Sequence, residues 1–155
     1  MQFKHSQVIE APVDYVFTRA TDFKNFEARS GTKDFKFARH DNAPIRIGTR
    51  WNISVPFRGR GRKFAAELSE MVPPRTVSYK STSAKYQAAL SLTFTPINAT
   101  KCRLDMLVVA QSRSFATTMV FNSIRLARRR INKRIVETMG EFAERISEDY
   151  NNNGN

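Results

Sequence analysis

The chain has few of the side chains that enzymes use for metal binding or nucleophilic attack. It holds one cysteine, Cys102, and two histidines, His5 and His40, among 155 residues. A single cysteine excludes an internal disulfide bond and a multi-cysteine zinc site, and its alternating surroundings favour a buried structural thiol. The two histidines fall on the first predicted strand and at a turn, so they form no ligand cluster. We therefore predict no metal and no cofactor.

Glycine-rich loops and paired carboxylates are missing as well. Gly59 and Gly61 lie between predicted strands rather than before a helix, so they do not form a phosphate-binding loop. Glu67 and Asp105 fall on the strand face opposite the apolar side chains, where we expect Asp105 to pair with Arg103. No catalytic constellation is visible, and we predict no catalytic residue.

Long hydrophobic runs are also missing. The first twelve residues contain no apolar signal core, and no run approaches the roughly 20 apolar residues of a membrane span. A length of 155 residues suggests one domain, and twelve phenylalanines supply bulk for its core. We therefore expect a cytoplasmic protein with a single domain at 1–149 and a disordered tail at 150–155.

What the chain does contain is a long amphipathic segment near its C-terminal end. Residues 114–149 predict one helix of about 36 residues, with Ser114 as its N-cap. A helix with one apolar stripe needs a broad apolar surface to lie on. The stripe residues recur at steps of three and four: Val120, Ile124, Ala127, Ile131, Ile135, Met139, Phe142 and Ile146.

The segments before this helix predict such a surface. Residues 3–9 predict a first strand, and two short helices follow, starting near Pro12 and Asp22. About six alternating segments come next, and short turns join them into an antiparallel sheet with one apolar face. The predicted fold class is α+β: a curved antiparallel sheet of about seven strands, two short helices after strand 1, and one long C-terminal helix.

Three stretches resemble those of a known superfamily. Residues 8–17 contain I-x-A-P-x-x-x-V-F and precede Thr21-Asp22, residues 48–51 match G-x-x-W, and residues 68–75 match L-x-E-x-x-P-P-x. Their order and spacing resemble the START-like or SRPBCC superfamily, in its small bacterial polyketide cyclase/dehydrase-like branch, over nearly the whole chain. The resemblance implies a helix-grip fold, in which a curved sheet grips the C-terminal helix over an apolar pocket. It implies no particular catalytic residue, because the superfamily hosts carriers, cyclases and other activities.

The inward-facing side chains are therefore candidates for the lining of a cavity between the sheet and the C-terminal helix. The implied function is binding or transport of a hydrophobic small molecule or lipid, and the alternative is a cyclase/dehydratase-type enzyme with Tyr79 or Tyr86 as its acid. The simplest interpretation is that these side chains only pack against one another in the core. The candidates are Phe35, Phe37, Trp51, Ile53, Val55, Phe64, Leu68, Tyr79, Tyr86, Leu90, Leu92, Leu104, Met106, Met119 and Ile131.

The strong positive charge leaves a second alternative open. The formal net charge is +12, and cations concentrate at residues 58–63 and 125–134. Such clusters can contact phosphate, lipid head groups or an acidic partner, so binding of nucleic acid or anionic surfaces remains an alternative. The clusters lack interleaved aromatic residues, so we expect no specific nucleic-acid binding and only weak contact with anionic surfaces. The sequence does not distinguish a monomer from a homodimer.

Overall fold

The computed structural model describes residues 1–29, 36–57 and 59–153. Within those ranges the chain forms seven strands and four helices. In chain order they are β1 (Gln2–Ile9), α1 (Val13–Ala20), α2 (Phe23–Ala28), β2 (Lys36–Arg39), β3 (Arg50–Phe57), β4 (Arg60–Val72), β5 (Thr76–Thr82), β6 (Tyr86–Asn98), β7 (Lys101–Ser112), α3 (Phe115–Leu126) and α4 (Arg128–Asn153).

The strands form one antiparallel sheet in the order β1-β7-β6-β5-β4-β3-β2. Strands β2 to β7 follow one another as a meander, whereas β1 lies at the far edge and pairs with β7. The predicted α+β architecture is confirmed. The first of the alternating segments, at 34–39, forms a strand from Lys36 onward, and Asp34 and Phe35 lie outside the described residues.

The pairing register gives the sheet two distinct ends. At one end Ile9 pairs with Cys102, and α1 follows directly from β1; we call this the α1 end. At the other end Tyr86 pairs with Ser112, and α3 follows from β7; we call this the α3 end. The sheet face that bears Trp51 is the inner face, because the helices cover it.

The dense core lies at the α1 end of the inner face. There α1 packs on β6 and β7, and the rings of Phe17 and Phe94 meet edge-on with centroids 5.2 Å apart. Alternation brings most of the large apolar residues of the strands to this face. The largest fully buried side chains among the described residues are Trp51, Phe94, Ile9, Leu68, Leu104, Ile146, Val16, Val77 and Cys102.

Helix α4 runs along β1 in the same direction. Near its start the Nη2 of Arg128 donates to the Gln2 carbonyl over 2.6 Å. Near its end the Ser147 hydroxyl accepts from the Glu10 amide at 3.2 Å. An ion pair of 2.7 Å between Arg19 and Asp149 fastens the last turns to α1. The long helix thus covers the edge strand rather than the middle of the sheet.

The predicted single helix at 114–149 is wrong in one respect, because it is interrupted at Ala127. The Ala127 amide donates to both the Ser123 and the Ile124 carbonyls, at 3.2 and 3.1 Å, which tightens the turn and separates α3 from α4. The Ser114 cap is confirmed, since its hydroxyl accepts from the Thr117 amide at 3.1 Å.

The burial of these two helices also differs from the expectation of one buried stripe. Ile131 and Ile135 are half-buried, α4 buries Ala143 and Ile146, and α3 buries none of its side chains. Helix α4 continues to Asn153, so the first residues of the predicted tail at 150–155 are helical. In the described part of the chain, no helix has the length and apolarity needed to cross a membrane.

Candidate functional site

A cavity of about 550 Å³ opens on the inner face of the sheet, beside the dense core. Strands β2 to β7 form its wall, and α1 and α2 close it at the α1 end. Nearly all of the surface that it exposes is apolar. Its lining residues are Ala20, Phe23, Phe26, Phe37, Trp51, Ile53, Val55, Phe64, Ala66, Tyr79, Lys80, Ser81, Ala88, Ala89, Leu90, Leu92 and Val108.

Helix α2 brings two phenylalanines to the cavity. Its first turn is capped by the Asp22 carboxylate, which accepts from the Asn25 amide at 3.2 Å. Phe23 and Phe26, three residues apart, therefore share one face and point toward the sheet. The Phe23 ring is buried, with its centroid 5.1 Å from that of Trp51.

Glu27, on the same helix, holds α2 against β2 and β3. Its carboxylate accepts from Arg39 Nε at 2.7 Å and Nη2 at 2.9 Å, and from the Trp51 indole nitrogen at 2.9 Å. Arg39 and Trp51 are paired residues of neighbouring strands, so one carboxylate clamps both. The hydrogen bonds from Arg39 lower the pKa of Glu27 below its ordinary value, and the Trp51 hydrogen bond lowers it further.

Trp51 lies at the centre of an aromatic cluster in the cavity wall. Its ring stacks on Phe37 at 5.4 Å with an interplanar angle of 17°, and it meets Tyr79 edge-on at 6.3 Å. Trp51 is fully buried and is the single tryptophan of the chain. The indole is therefore fixed on one side by Glu27 and on the others by rings, so it forms a rigid wall for anything in the cavity.

Tyr79 supplies a polar group within this apolar wall. Its hydroxyl has no hydrogen-bond partner among the described residues, and burial raises the pKa of Tyr79 above its ordinary value. The group is therefore a protonated donor at neutral pH. The Ser81 and Tyr86 hydroxyls differ from it, because they lie 2.9 Å apart and satisfy each other.

The structure brings about half of the predicted lining residues together. Those that line the cavity are Phe37, Trp51, Ile53, Val55, Phe64, Tyr79, Leu90 and Leu92. Leu68 and Leu104 are buried in the dense core instead, Met106 is half-buried opposite His5, and Tyr86 bonds to Ser81. Phe35 lies outside the described residues. Ligand binding by any of them stays a prediction.

The predicted place of the cavity needs a correction. Met119 on α3 is 54% exposed and Ile131 on α4 is half-buried, and neither lines the cavity. None of the described lining residues belongs to α3 or α4. The physical reason is that α4 lies along β1, at the sheet edge, so α1 and α2 provide the helical side of the cavity.

Several lining residues were missed because helix packing, not strand alternation, places them. Phe23 and Phe26 lie on a six-residue helix whose orientation depends on the contact between Glu27 and Arg39. The signal in the sequence was their spacing of three, with polar Lys24 and Asn25 between them. Ala66 and Ala88 share the period of two with candidates such as Phe64 and Leu90 but were not among the candidates, although their small side chains leave the space that forms the cavity.

The histidines, the cysteine and the outer-face ion pair lie away from the cavity. His5 is half-buried on β1 and bonds to Gln7 at 3.1 Å, and His40 bonds to Asn52 at 2.7 Å. Cys102 is fully buried, and burial raises the pKa of its thiol to about 11. Asp105 pairs with Arg103 at 3.0 Å on the outer face, as predicted. No group of three or more potential metal ligands occurs in the described ranges.

Solved structures with the same architecture match nearly the whole chain. The Zhui aromatase/cyclase from Streptomyces sp. R1128 has a TM-score of 0.70 at 11% identity, covering 96% of this chain and 94% of that one. A norcoclaurine synthase mutant from Thalictrum flavum has a TM-score of 0.69 at 8% identity, covering 97% and 96%. A protein from Thermus thermophilus has a TM-score of 0.69 at 14% identity, covering 94% and 97%.

This chain has the helix-grip fold. The resemblance to START-like proteins is thereby confirmed at the level of the fold. No protein-family model matches the sequence, and no curated protein sequence does either. Identities this low show a common fold and assign no activity to this helix-grip protein.

Proposed function

We propose that this helix-grip protein binds a flat, mostly apolar small molecule in the cavity beside Trp51. The observation that carries the proposal is an apolar cavity of about 550 Å³ whose wall includes one hydroxyl, that of Tyr79, without a partner among the described residues. Sites for small molecules in proteins are typically concave, mostly apolar, and marked by a few polar groups that orient the ligand.

The shape of the wall favours a flat ligand. Phe23, Phe37 and Trp51 present ring faces and edges that the Glu27 contacts hold in place. A pre-formed wall costs little ordering when a ligand enters, and flat rings stack on such surfaces. A ligand with a single carbonyl or hydroxyl oxygen would accept a hydrogen bond from Tyr79, which stays protonated at neutral pH.

Titration with N-phenyl-1-naphthylamine tests this proposal directly. We expect saturable binding, a change in Trp51 emission, and a negative heat-capacity change, since apolar surface is buried. The blocking variant carries Ala88→Phe and Val108→Phe, which fill the cavity. The matched control carries Ala65→Phe and Val109→Phe, on exposed positions of the opposite face. If the blocking variant and the control variant bound N-phenyl-1-naphthylamine equally well, the probe would bind elsewhere and the cavity would be rejected as its site.

Tyr79→Phe tests the polar contact separately. For 2-acetylnaphthalene, whose carbonyl accepts a hydrogen bond, we expect a loss of about 0.5–1.5 kcal/mol, or roughly two- to twelvefold in Kd. For N-phenyl-1-naphthylamine the affinity should stay the same. Tyr86→Phe is the control, because its hydroxyl bonds to Ser81 and does not line the cavity. If only Tyr86→Phe weakened the binding of 2-acetylnaphthalene, the hydrogen bond to the ligand would come from Tyr86 and not from Tyr79.

A cyclase-type enzyme is the second candidate, and Tyr79 is the observation that favours it. Tyr79 is half-buried and its phenol is protonated at neutral pH, so it can donate a hydrogen bond to a ketone and polarise it. Three of the similar structures are aromatase/cyclases by name, at 11%, 12% and 14% identity. Among the described lining residues no histidine or carboxylate accepts a proton. Turnover of a poly-β-ketone that Tyr79→Phe abolishes would establish the enzyme, and binding without turnover would leave a carrier.

A further inference from the structure

Helix α3 presents an apolar face to solvent. Phe115, Met119 and Leu126 are 82%, 54% and 88% exposed. Their spacing of four and seven residues puts them on one side of the helix. The other side, with Val120 and Ile124, is half-buried against the rest of the molecule. Helix α3 is thus apolar on both sides, and the outer side, which we call the α3 stripe, faces solvent.

Cations flank the α3 stripe at both ends. Before its first turn, the Arg113 amide donates to the Lys85 carbonyl at 2.7 Å, which places two exposed cations together. Within its last turn and just after it lie four exposed arginines: Arg125, Arg128, Arg129 and Arg130. No carboxylate forms an ion pair with any of these six within the described residues. The sequence contains no Asp or Glu between Asp105 and Glu137.

We propose that the α3 stripe and its flanking cations form a docking surface for an anionic lipid bilayer. Helices of this kind lie in the plane of the interface, with apolar side chains in the acyl boundary and cations at the head groups. Each Lys or Arg near an anionic membrane surface adds to the attraction. The surface is separate from the cavity, so the proposal goes beyond the proposed small-molecule binding.

The charge pattern distinguishes a bilayer from the other occupants. A symmetric dimer through the α3 stripe would place cations against cations whichever way the two helices ran, because cations flank both ends of the stripe, and like charges would repel. A nucleic acid would neutralise the arginines but would leave Met119 and Leu126 without an apolar partner. A bilayer with anionic lipids accommodates both the stripe and the cations.

Co-sedimentation with vesicles tests the proposal on the intact chain. We expect binding to vesicles of phosphatidylcholine with phosphatidylserine, weak binding to phosphatidylcholine alone, and a loss of binding as salt increases. The stripe variant carries Phe115→Ser, Met119→Ser and Leu126→Ser and should bind at least about tenfold more weakly. The control carries Val72→Ser and Ile97→Ser, which are 50% and 52% exposed at the α1 end, and should bind as the wild type does.

The contribution of the arginines is tested with two double variants, one beside the α3 stripe and one at the α1 end. Arg129→Gln with Arg130→Gln should weaken binding to anionic vesicles by roughly tenfold or more at low salt. Arg46→Gln with Arg75→Gln removes two exposed arginines at the α1 end and should change it little. Equal losses in the two pairs would mean that net charge alone drives association, which would overturn the docking surface.

A fluorescent label reports the orientation on the vesicle. Because Cys102 is fully buried, a thiol introduced by Leu126→Cys is the accessible one for an environment-sensitive dye. We expect a blue shift on anionic vesicles for this label and none for a label at Ile97→Cys. Blue shifts at both labelled positions would overturn the proposal, and so would RNA binding with the same arginine dependence and no vesicle binding. A fall in the molar mass of the protein caused by the stripe variant would also overturn it, because the stripe would then hold two copies of the chain together. The cavity-filling variant should still bind vesicles, which separates this proposal from the proposed function.

Discussion

The two ends of the sheet use the same alternation of side chains with different results. At the α1 end, Ile9, Phe17, Phe94 and Ile146 are fully or almost fully buried between the sheet and the helices. Toward the α3 end the inner face borders a cavity, and α3 buries none of its side chains. Alternation decides which side chains share a face, whereas the position of the covering helices decides whether that face becomes a core or a cavity. The free energy of unfolding should therefore come mainly from the α1 end, whereas the cavity toward the α3 end should be the place for a ligand.

The largest expected effect compares two large-to-small changes. Ile146→Ala, at a residue 1% exposed, should cost about 2–5 kcal/mol of unfolding free energy, because it leaves a void among close-packed neighbours. Leu126→Ala, at a residue 88% exposed, should stay within about 0.5 kcal/mol. Urea denaturation followed by Trp51 fluorescence measures both. Similar losses of unfolding free energy for the two variants would show that the α1 end and the α3 end contribute equally to stability.

A smaller effect concerns the carboxylate that joins α2 to the sheet. Glu27→Gln should cost about 1–2 kcal/mol at neutral pH, because it weakens the charge-assisted hydrogen bonds from Arg39, whose side chain is 13% exposed. Glu137→Gln, in an exposed pair with Lys133, is the control and should cost little.

The cost of Glu27→Gln should depend on pH in a definite direction. Because the pKa of Glu27 is lower in the folded chain than its unfolded value of about 4.3, its stabilisation is complete above that value. It is lost as the pH falls through the folded pKa. The difference between the wild type and the variant should therefore shrink in denaturation curves taken below pH 4, about where the unfolded carboxyl titrates. A difference that stays constant in acid would argue against a charged contact.

The smallest expected effect is local. Ser114→Ala removes the N-cap of α3, and a lost cap costs about 0.5–2 kcal/mol of helix stability. Since α3 buries none of its side chains, this loss should appear as faster amide hydrogen exchange within α3, with little change in the urea midpoint. Ser123→Ala, whose hydroxyl donates to the Met119 carbonyl inside the helix, is the control. A large midpoint shift would show that α3 belongs to the cooperative core.

The sheet could be predicted because its physical signal is local. Alternating residues such as Trp51, Ile53 and Val55 have a period of two, and this period specifies both the strand and its covered face. Turn residues at Gly59 and Pro73 marked the ends of strands. The Ser114 cap was predictable for the same reason, since its bond spans three residues.

The helix interruption at Ala127 could not be predicted from a local signal. Ile124, Ala127 and Ile131 continue the spacing of a single helix, and alanine is the best helix former, so nothing local marks a break. The two helices pack on different strands, α3 on β7 and α4 on β1, and tertiary contacts outweigh local preference.

The place of the cavity depends on contacts between distant residues. The hydrogen bonds from Arg39 to Glu27 and from Trp51 to Glu27 link α2, β2 and β3, and no period in the sequence encodes them. Covering positions such as Phe23 follow from these contacts. A resemblance to helix-grip proteins predicted that a cavity exists, but the residues that enclose it depend on where this chain places its helices.

The position of β1 has a consequence for the order of events during synthesis. The strand β1 leaves the ribosome well before its partner β7, which begins only at Lys101, and before the helix that covers it, which begins at Arg128. At roughly 5–20 residues per second, β1 spends several seconds without a partner strand. Contacts of such wide sequence separation form slowly even after release, because a long loop must close first. We therefore expect a nascent chain stopped before β7 to leave residues 2–9 open to a protease or a chaperone, and a chain that has completed α4 to protect them.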